Sequence, residues 1–267
     1  MIELYGFSLA LLTGIVLGLI GSGGSILAVP IFTYIFLLDE KLATGYSLFV
    51  VGFSALVGVI NQYQKRNIDF KAFVVFGLPA IISVTVMRSL VVPFLPEFLF
   101  DFGEIKITRR MGILGLFAIV MIPAALTFIK PTKTKTRNFN LFLQSYNYII
   151  MMLVGLITGS ITGIIGAGGG FLIIPILVFF LNMNIKIAIG TSLLIVASKS
   201  LIGFFVGDVV SMEIDWTFLI NFTAIAGSGV IIGNYLNSII NEKKLRNMFG
   251  YSILFMSAFI FFQEFIK

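Results

Sequence analysis

The sequence predicts an all-α polytopic membrane protein made of two inverted repeats of five apolar segments. Each repeat begins with a glycine-tipped helical hairpin, giving eight to ten membrane segments. Three observations predict this: an apolar composition, an internal duplication, and a lopsided distribution of basic residues.

Of 267 residues, 58% are hydrophobic and 11% charged, against roughly 25% charged in an ordinary soluble chain. With a mean hydropathy of +1.08, a water-soluble fold would lack polar residues to cover its surface. Apolar runs recur along the chain at close to the roughly 20 residues that a spanning helix needs. Residues 1–5 carry only Glu3 and no basic cluster, so the first run is expected to stay rather than be cleaved as a signal. The lipid bilayer is therefore one expected partner. The net charge of +6 sits in connectors between runs, where it sets topology, and nothing points to nucleic acid. No motif specifies an oligomeric state. The chain has no Cys and no His, which removes thiol nucleophiles and most metal sites. No cofactor, metal or enzymatic activity is expected.

Sliding the chain by 145 positions lays residues 14–58 over 159–203 without a gap, with 17 of 45 positions identical. The matches include Gly14/Gly159, Gly18/Gly163, Gly21/Gly166, Gly23/Gly168, Gly24/Gly169, Pro30/Pro175, Gly45/Gly190, Ser47/Ser192 and Gly58/Gly203. One residue further on, Asp69 answers Asp215. Shared apolar composition cannot align this many glycines, so the chain is a duplication. The first repeat covers 1–129, a connector 130–147, and the second repeat 148–267.

In the first repeat, apolar arms at 6–20 and 26–38 flank the cluster Gly21-Ser22-Gly23-Gly24-Ser25, and runs at 42–61, 72–92 and 111–129 follow. In the second, arms at 148–165 and 171–182 flank Gly166-Ala167-Gly168-Gly169-Gly170, and runs at 188–207, 216–236 and 248–266 follow. If each broken stretch is one kinked span, eight basic residues fall on each side and orientation is undefined. If each is a hairpin, the split becomes 11 to 5, which satisfies the positive-inside rule. Hairpins are therefore expected, with the connector cytoplasmic and both termini external on the cell membrane. Arms of 12 to 15 residues are short for a crossing and favour dipping or strong tilt.

Backbone released from a helix at membrane depth needs protein or a water-filled cavity around it. A helix that starts just after such a break aims free N–H groups into that cavity. Paired broken helices in inverted repeats point to a central binding site, although glycines also let helices simply pack closely.

The stretches GLIGSGGSILAVPIF at 18–32, GIIGAGGGFLIIPIL at 163–177, AIGTSLLIVASKSLIGF at 188–204 and ITRRMGILGLFAIVMIPAA at 107–125 resemble the TauE/SafE sulfite-exporter-like membrane permeases. The resemblance spans essentially the whole chain. It implies a permease for small anions, notably sulfite and organosulfonates. Where the family pattern often shows Asn, this chain has Lys199.

Two basic residues fall inside apolar runs. Arg88, four residues from a run end, either snorkels to the surface or serves a site. Lys199, mid-run, needs a cavity or a counter-charge, and no Asp or Glu lies mid-run to supply one. A bound anion would. Thr191 and Ser192 lie on the same run, and Ser47 is the repeat mate of Ser192. Such hydroxyls donate to an oxyanion or bond back to their own helix. Asp69 and Asp215 read as helix N-caps. The expected substrate-binding residues are thus Gly21, Ser22, Gly23, Gly24, Ser25, Ser47, Gly166, Gly168, Gly169, Gly170, Thr191, Ser192 and Lys199. A membrane scaffold whose glycines only pack helices is the alternative reading.

Overall fold

A computed structural model describes residues 2–20, 22–101, 106–129, 146–181, 183–237 and 242–266. Its helices are α1 (Ile2–Ile20), α2 (Gly24–Ile35), α3 (Glu40–Gln64), α4 (Phe70–Val91), α5 (Arg109–Ile129), α6 (Tyr146–Ile165), α7 (Gly170–Leu181), α8 (Ile185–Ser211), α9 (Trp216–Asn237) and α10 (Glu242–Phe265). Seven helices are long and apolar enough to span a bilayer among the described residues, so the all-α polytopic reading holds. The exterior is apolar, with Ile82, Leu90, Phe255 and Val210 well exposed, while Thr44, Ser47, Arg88, Thr162, Lys199 and Asp208 are buried. Polar side chains inside and apolar ones outside is the arrangement a hydrocarbon solvent requires.

The helix starts repeat between the halves as the sequence does. Asp39 caps α3 through the Lys41 amide and Asn184 caps α8 through the Lys186 amide. Asp69 accepts from the Lys71 and Ala72 amides at the start of α4, and Asp215 from the Phe218 amide at the start of α9. Both Asp residues are N-caps, as expected. They also tie the halves together. The Asp69 amide donates to Thr191 on α8 at 2.9 Å, and the Asp215 amide to Tyr46 on α3 at 2.8 Å. Tyr46 and Thr191 are repeat mates.

Packing between helices crosses from one half to the other. Along α1, Gly14 and Gly18 lie on the backbone of α9 at Ala226 and Val230; along α6, Gly159 and Gly163 lie on α4 at Ala80 and Val84. These contacts are repeat-related, and in both pairs the residue numbers rise together, so the helices run parallel. Between α3 and α8 the order is opposite: Gly45 faces Asp208, Gly52 faces Leu201 and Gly58 faces Leu193. Helices α5 and α10 are likewise antiparallel, with Gly115 against Phe265 and Gly250 against Phe128. A side chain at Gly14, Gly18, Gly159 or Gly163 would push apart backbones that van der Waals contact holds together in lipid.

The first arms extend past their apolar runs: α1 has 19 residues and α6 has 20, because Glu3, Tyr146 and Asn147 continue the helices. The apolar part of α1, Gly6–Leu19, stays short of a span, as do α2 and the 12 residues of α7, while α6 is long and apolar enough for one. The sequence also gave no sign of the antiparallel β-hairpin of β1 (Phe98–Asp101) and β2 (Lys106–Thr108) before α5. At that end, Arg109 pairs with Glu40 of α3 and Arg110 with Glu264 of α10, which anchors the start of α5.

Candidate functional site

The second glycine cluster forms an open turn, not a kinked helix. Gly166, Gly168 and Gly169 have φ of +72°, +65° and +68°, a left-handed region that L-residues avoid. The turn is buried, and α7 starts directly after it. Leu172 and Ile173 both donate to the Gly169 carbonyl. The amides of Gly170 and Phe171 lie ahead of that ladder, as the first N–H groups of any helix do. The first cluster differs. Residues Ser22–Ile26 wind as a 3-10 turn that folds back onto α1 at Gly24 and Leu17 and packs on α7. Ser22 and Gly23 lie in this turn, Ser25 is buried, and Gly21 lies outside the described residues.

The open turn is wedged between two helix faces. On α3, Thr44 meets Gly166 and Val51 meets Gly168. Ser47 lies between them at helical spacing, on the same face, and Ser54 continues the stripe. On α8, Val196 meets Gly168 and the Lys199 ammonium meets Gly169. Ser192, Val196 and Lys199 form that stripe at i, i+4 and i+7. The pairs Ser47/Ser192, Val51/Val196 and Ser54/Lys199 are repeat mates, so the duplicated faces of α3 and α8 flank one tip. Ser54 and Lys199 fall at the centre of the antiparallel crossing.

Lys199 is completely buried. Its Nζ donates to Thr162 Oγ1 at 2.5 Å, and Thr162 donates onward to the Thr158 carbonyl at 2.8 Å. Among the described residues no carboxylate pairs with Lys199. An ammonium has three donors, and this one is served by a single hydroxyl. The hydroxyls of Ser47, Ser54 and Ser200 are buried without a hydrogen-bond partner. Ser192 and Thr191 are engaged elsewhere: Ser192 Oγ donates to the Ile189 carbonyl, and Thr191 accepts from Asp69.

Arg88 does not snorkel. It is fully buried, and its Nε and Nη2 donate to Asp208 Oδ2 at 3.0 and 2.7 Å. Its Nη1 reaches Thr44 Oγ1 at 3.1 Å and the Gly163 carbonyl at 3.5 Å. Asp208 lies one residue past the apolar run, but α8 continues through it to Ser211. A carboxylate just beyond a run is thus buried in the bundle, on Arg88 and not on Lys199. Both residues sit in wide π-type turns, Met87–Val91 and Phe204–Asp208, which pack on each other. Such turns rotate the helix face by one extra residue and recur at functional sites. Thr162, Thr44 and Asp208 were not foreseen. Thr158 and Thr162, four apart on one face of a largely apolar run, were the available signal.

The sequence profile of the family described as "Sulfite exporter TauE/SafE" matches residues 6–260. The chain belongs to this family. The match takes in both glycine clusters and both flanking stripes, and it bears out the resemblance seen in the motifs. A Xylella fastidiosa relative is 27% identical over 262 residues, covering 95% of this chain and 92% of the relative. A Bacillus subtilis relative is 25% identical over 237 residues, covering 88% and 91%. A Methanocaldococcus jannaschii relative is 32% identical over 181 residues, covering 63% and 60%. Each carries the description "Probable membrane transporter protein". No solved structure matches the chain.

Proposed function

We propose that this protein is a permease of the cytoplasmic membrane for a small anion, a sulfur oxyanion or an organosulfonate. The anion is held near the membrane midplane between the two glycine-broken helices. One observation carries the reading: Lys199 is a fully buried cation that, among the described residues, has one hydroxyl for a partner and no carboxylate. An unneutralised ammonium at that depth is costly, and a bound anion removes the cost. The N-terminal amides of α7 at Gly170, together with Ser47, Ser54 and Ser200, would complete the donor set, because helix N-termini favour anions. Family membership and the names of the relatives support a transporter.

Inversion of the two repeats, 1–129 and 148–267, is part of this reading. Counterpart helices α3 and α8 run antiparallel, as do α5 and α10, while α1 parallels α9 and α6 parallels α4. A two-fold axis lying in the membrane plane produces this combination, and transporters built on such repeats bind substrate at the repeat interface. With the 11-to-5 charge split, both termini are external and the 130–147 connector is cytoplasmic.

The test is thermal unfolding of the purified protein with sulfite, sulfate, sulfonates and carboxylates, since a ligand stabilises the state it binds. A rise in midpoint with sulfite or a sulfonate but not with carboxylates is the expected result. No shift with any anion would refute the reading.

A further inference from the structure

The Arg88–Asp208 pair holds the edge of the turn that Lys199 holds from the other side. Arg88 Nη1 sits on Thr44 and on the Gly163 carbonyl, Thr44 sits against Gly166, and Gly169 sits against Lys199. The two cations thus grip one glycine turn, with Asp208 as the carboxylate between the fold and a net charge of two.

Packing does not demand this pair. The repeat mate of Arg88 is Asn234, whose backbone amide lies against Gly18 of α1, so the other half packs these two helices with a neutral residue at that position. Replacing a buried ion pair by neutral groups is often neutral or stabilising, which makes stability a weak explanation for it. The geometry of the pair is also lopsided. An arginine usually engages both oxygens of a carboxylate. Here Nε and Nη2 both donate to Oδ2, and among the described residues the buried Oδ1 has no donor. A proton added to Oδ1 breaks neither existing hydrogen bond and removes the negative charge. The path for a proton is short, because Arg88 and Asp208 each lie three residues from the ends of α4 and α8, about 5 Å of helix.

We propose that Asp208 binds a proton on Oδ1, and that this protonation frees the Arg88 charge to hold the substrate anion beside Lys199. The inference rests on the permease reading and adds its coupling: one proton enters the site with each anion. The step balances in charge. The carboxylate takes one proton from water and becomes a neutral acid, the guanidinium loses its counter-charge, and the incoming anion restores it. Among the described residues, the groups facing Asp208 are Arg88 from α4, itself bonded to Thr44, Gly45 from α3, and on its own helix Ser211, whose hydroxyl bonds to the Gly207 and Asp208 carbonyls. Arg88 is the one charge among them; Lys199 lies nine residues back on α8.

The probe is isethionate, a sulfonate that stays ionised across the pH range used, so any pH dependence belongs to the protein. Binding to the purified protein is measured as a function of pH, and proton uptake on binding is measured in weak buffer with an indicator dye. One linked proton makes affinity rise by up to about tenfold for each unit the pH falls, with uptake near one proton per anion. In Asp208→Asn that uptake disappears. The double variant Arg88→Gln with Asp208→Asn leaves neither member of this pair stranded and should insert even where the single variant does not; it should bind isethionate more weakly, through Lys199, and without proton uptake. Persistent uptake in either variant would assign the proton to another group and overturn the proposal. Isethionate binding by the parent without proton uptake would overturn it and leave the permease reading intact. No binding of any anion by the parent would bring down the permease reading itself.

Discussion

Lys199→Met removes the charge and keeps most of the bulk, and the structure sets opposite signs for its two consequences. In the empty protein the lysine is buried, with one hydrogen bond to Thr162. A lysine at the centre of a membrane helix costs about 2.5–3.5 kcal/mol on insertion scales. The lost hydrogen bond is worth about 1.5–3 kcal/mol for a charged donor. Thr162 is not orphaned, since it still donates to the Thr158 carbonyl. The unliganded variant should therefore be as stable as the parent or more so, by about 0–2 kcal/mol. The anion, by contrast, loses a charge-assisted contact worth about 1.5–3 kcal/mol, which weakens binding roughly 10- to 150-fold. At a ligand concentration of about 100 times the parent Kd, ligand stabilisation then falls from about 2.7 to about 0.4 kcal/mol for a 100-fold loss. Thermal unfolding with and without sulfite or isethionate reads both quantities in one series. A variant with a much lower unliganded midpoint and a parent-like ligand shift would show that Lys199 holds the bundle together and binds nothing.

Other substitutions separate the tip from the scaffold. Gly169→Ala places a methyl group against Thr162 and the Lys199 ammonium at φ +68°. The left-handed backbone costs about 1–2 kcal/mol and overpacking about 1–3, so the midpoint should fall and anion binding should be lost; parent-like binding would remove the turn from the site. Gly14→Leu presses on the Ala226 backbone and should part α1 from α9, seen as a fall in yield of folded protein, whereas the exposed Ile82 should accept Ala with little change. Arg88→Met strands Asp208 in the bundle and should cost about 3–5 kcal/mol, most of it recovered when Asp208→Asn is added; equal losses in the single and double variants would contradict the pairing. A cysteine at Thr134, in a chain with no native Cys, should be shielded from an impermeant thiol reagent outside intact cells, and its labelling there would reverse the orientation.

The sequence by itself determined the membrane character, the duplication, the two broken stretches, the helix caps and the family. These depend on local composition and on glycine and proline spacing, which the chain carries in one dimension. It also singled out Lys199, because a lone charge stands out in an apolar run. Tertiary structure decided what each polar group meets. The position of Arg88 near a run end left snorkelling and a site role both open, and Asp208 just past another run carried no signal, because hydropathy measures distance along one helix. The π-type turns and the contact of α4 with α8 turn both inward, 120 residues apart in the chain. The two glycine clusters, which share three of five residues, became a 3-10 turn and an open left-handed turn, and their surroundings differ: Gly169 is opposed by Thr162, and its mate Gly24 by Leu17. Ser47 and Ser192 diverged in the same way, one hydroxyl left unpartnered and the other bonded to its own helix. A repeated sequence specifies repeated helices; the single residues that differ between the copies decide what each copy binds, and those differences act only where the halves meet.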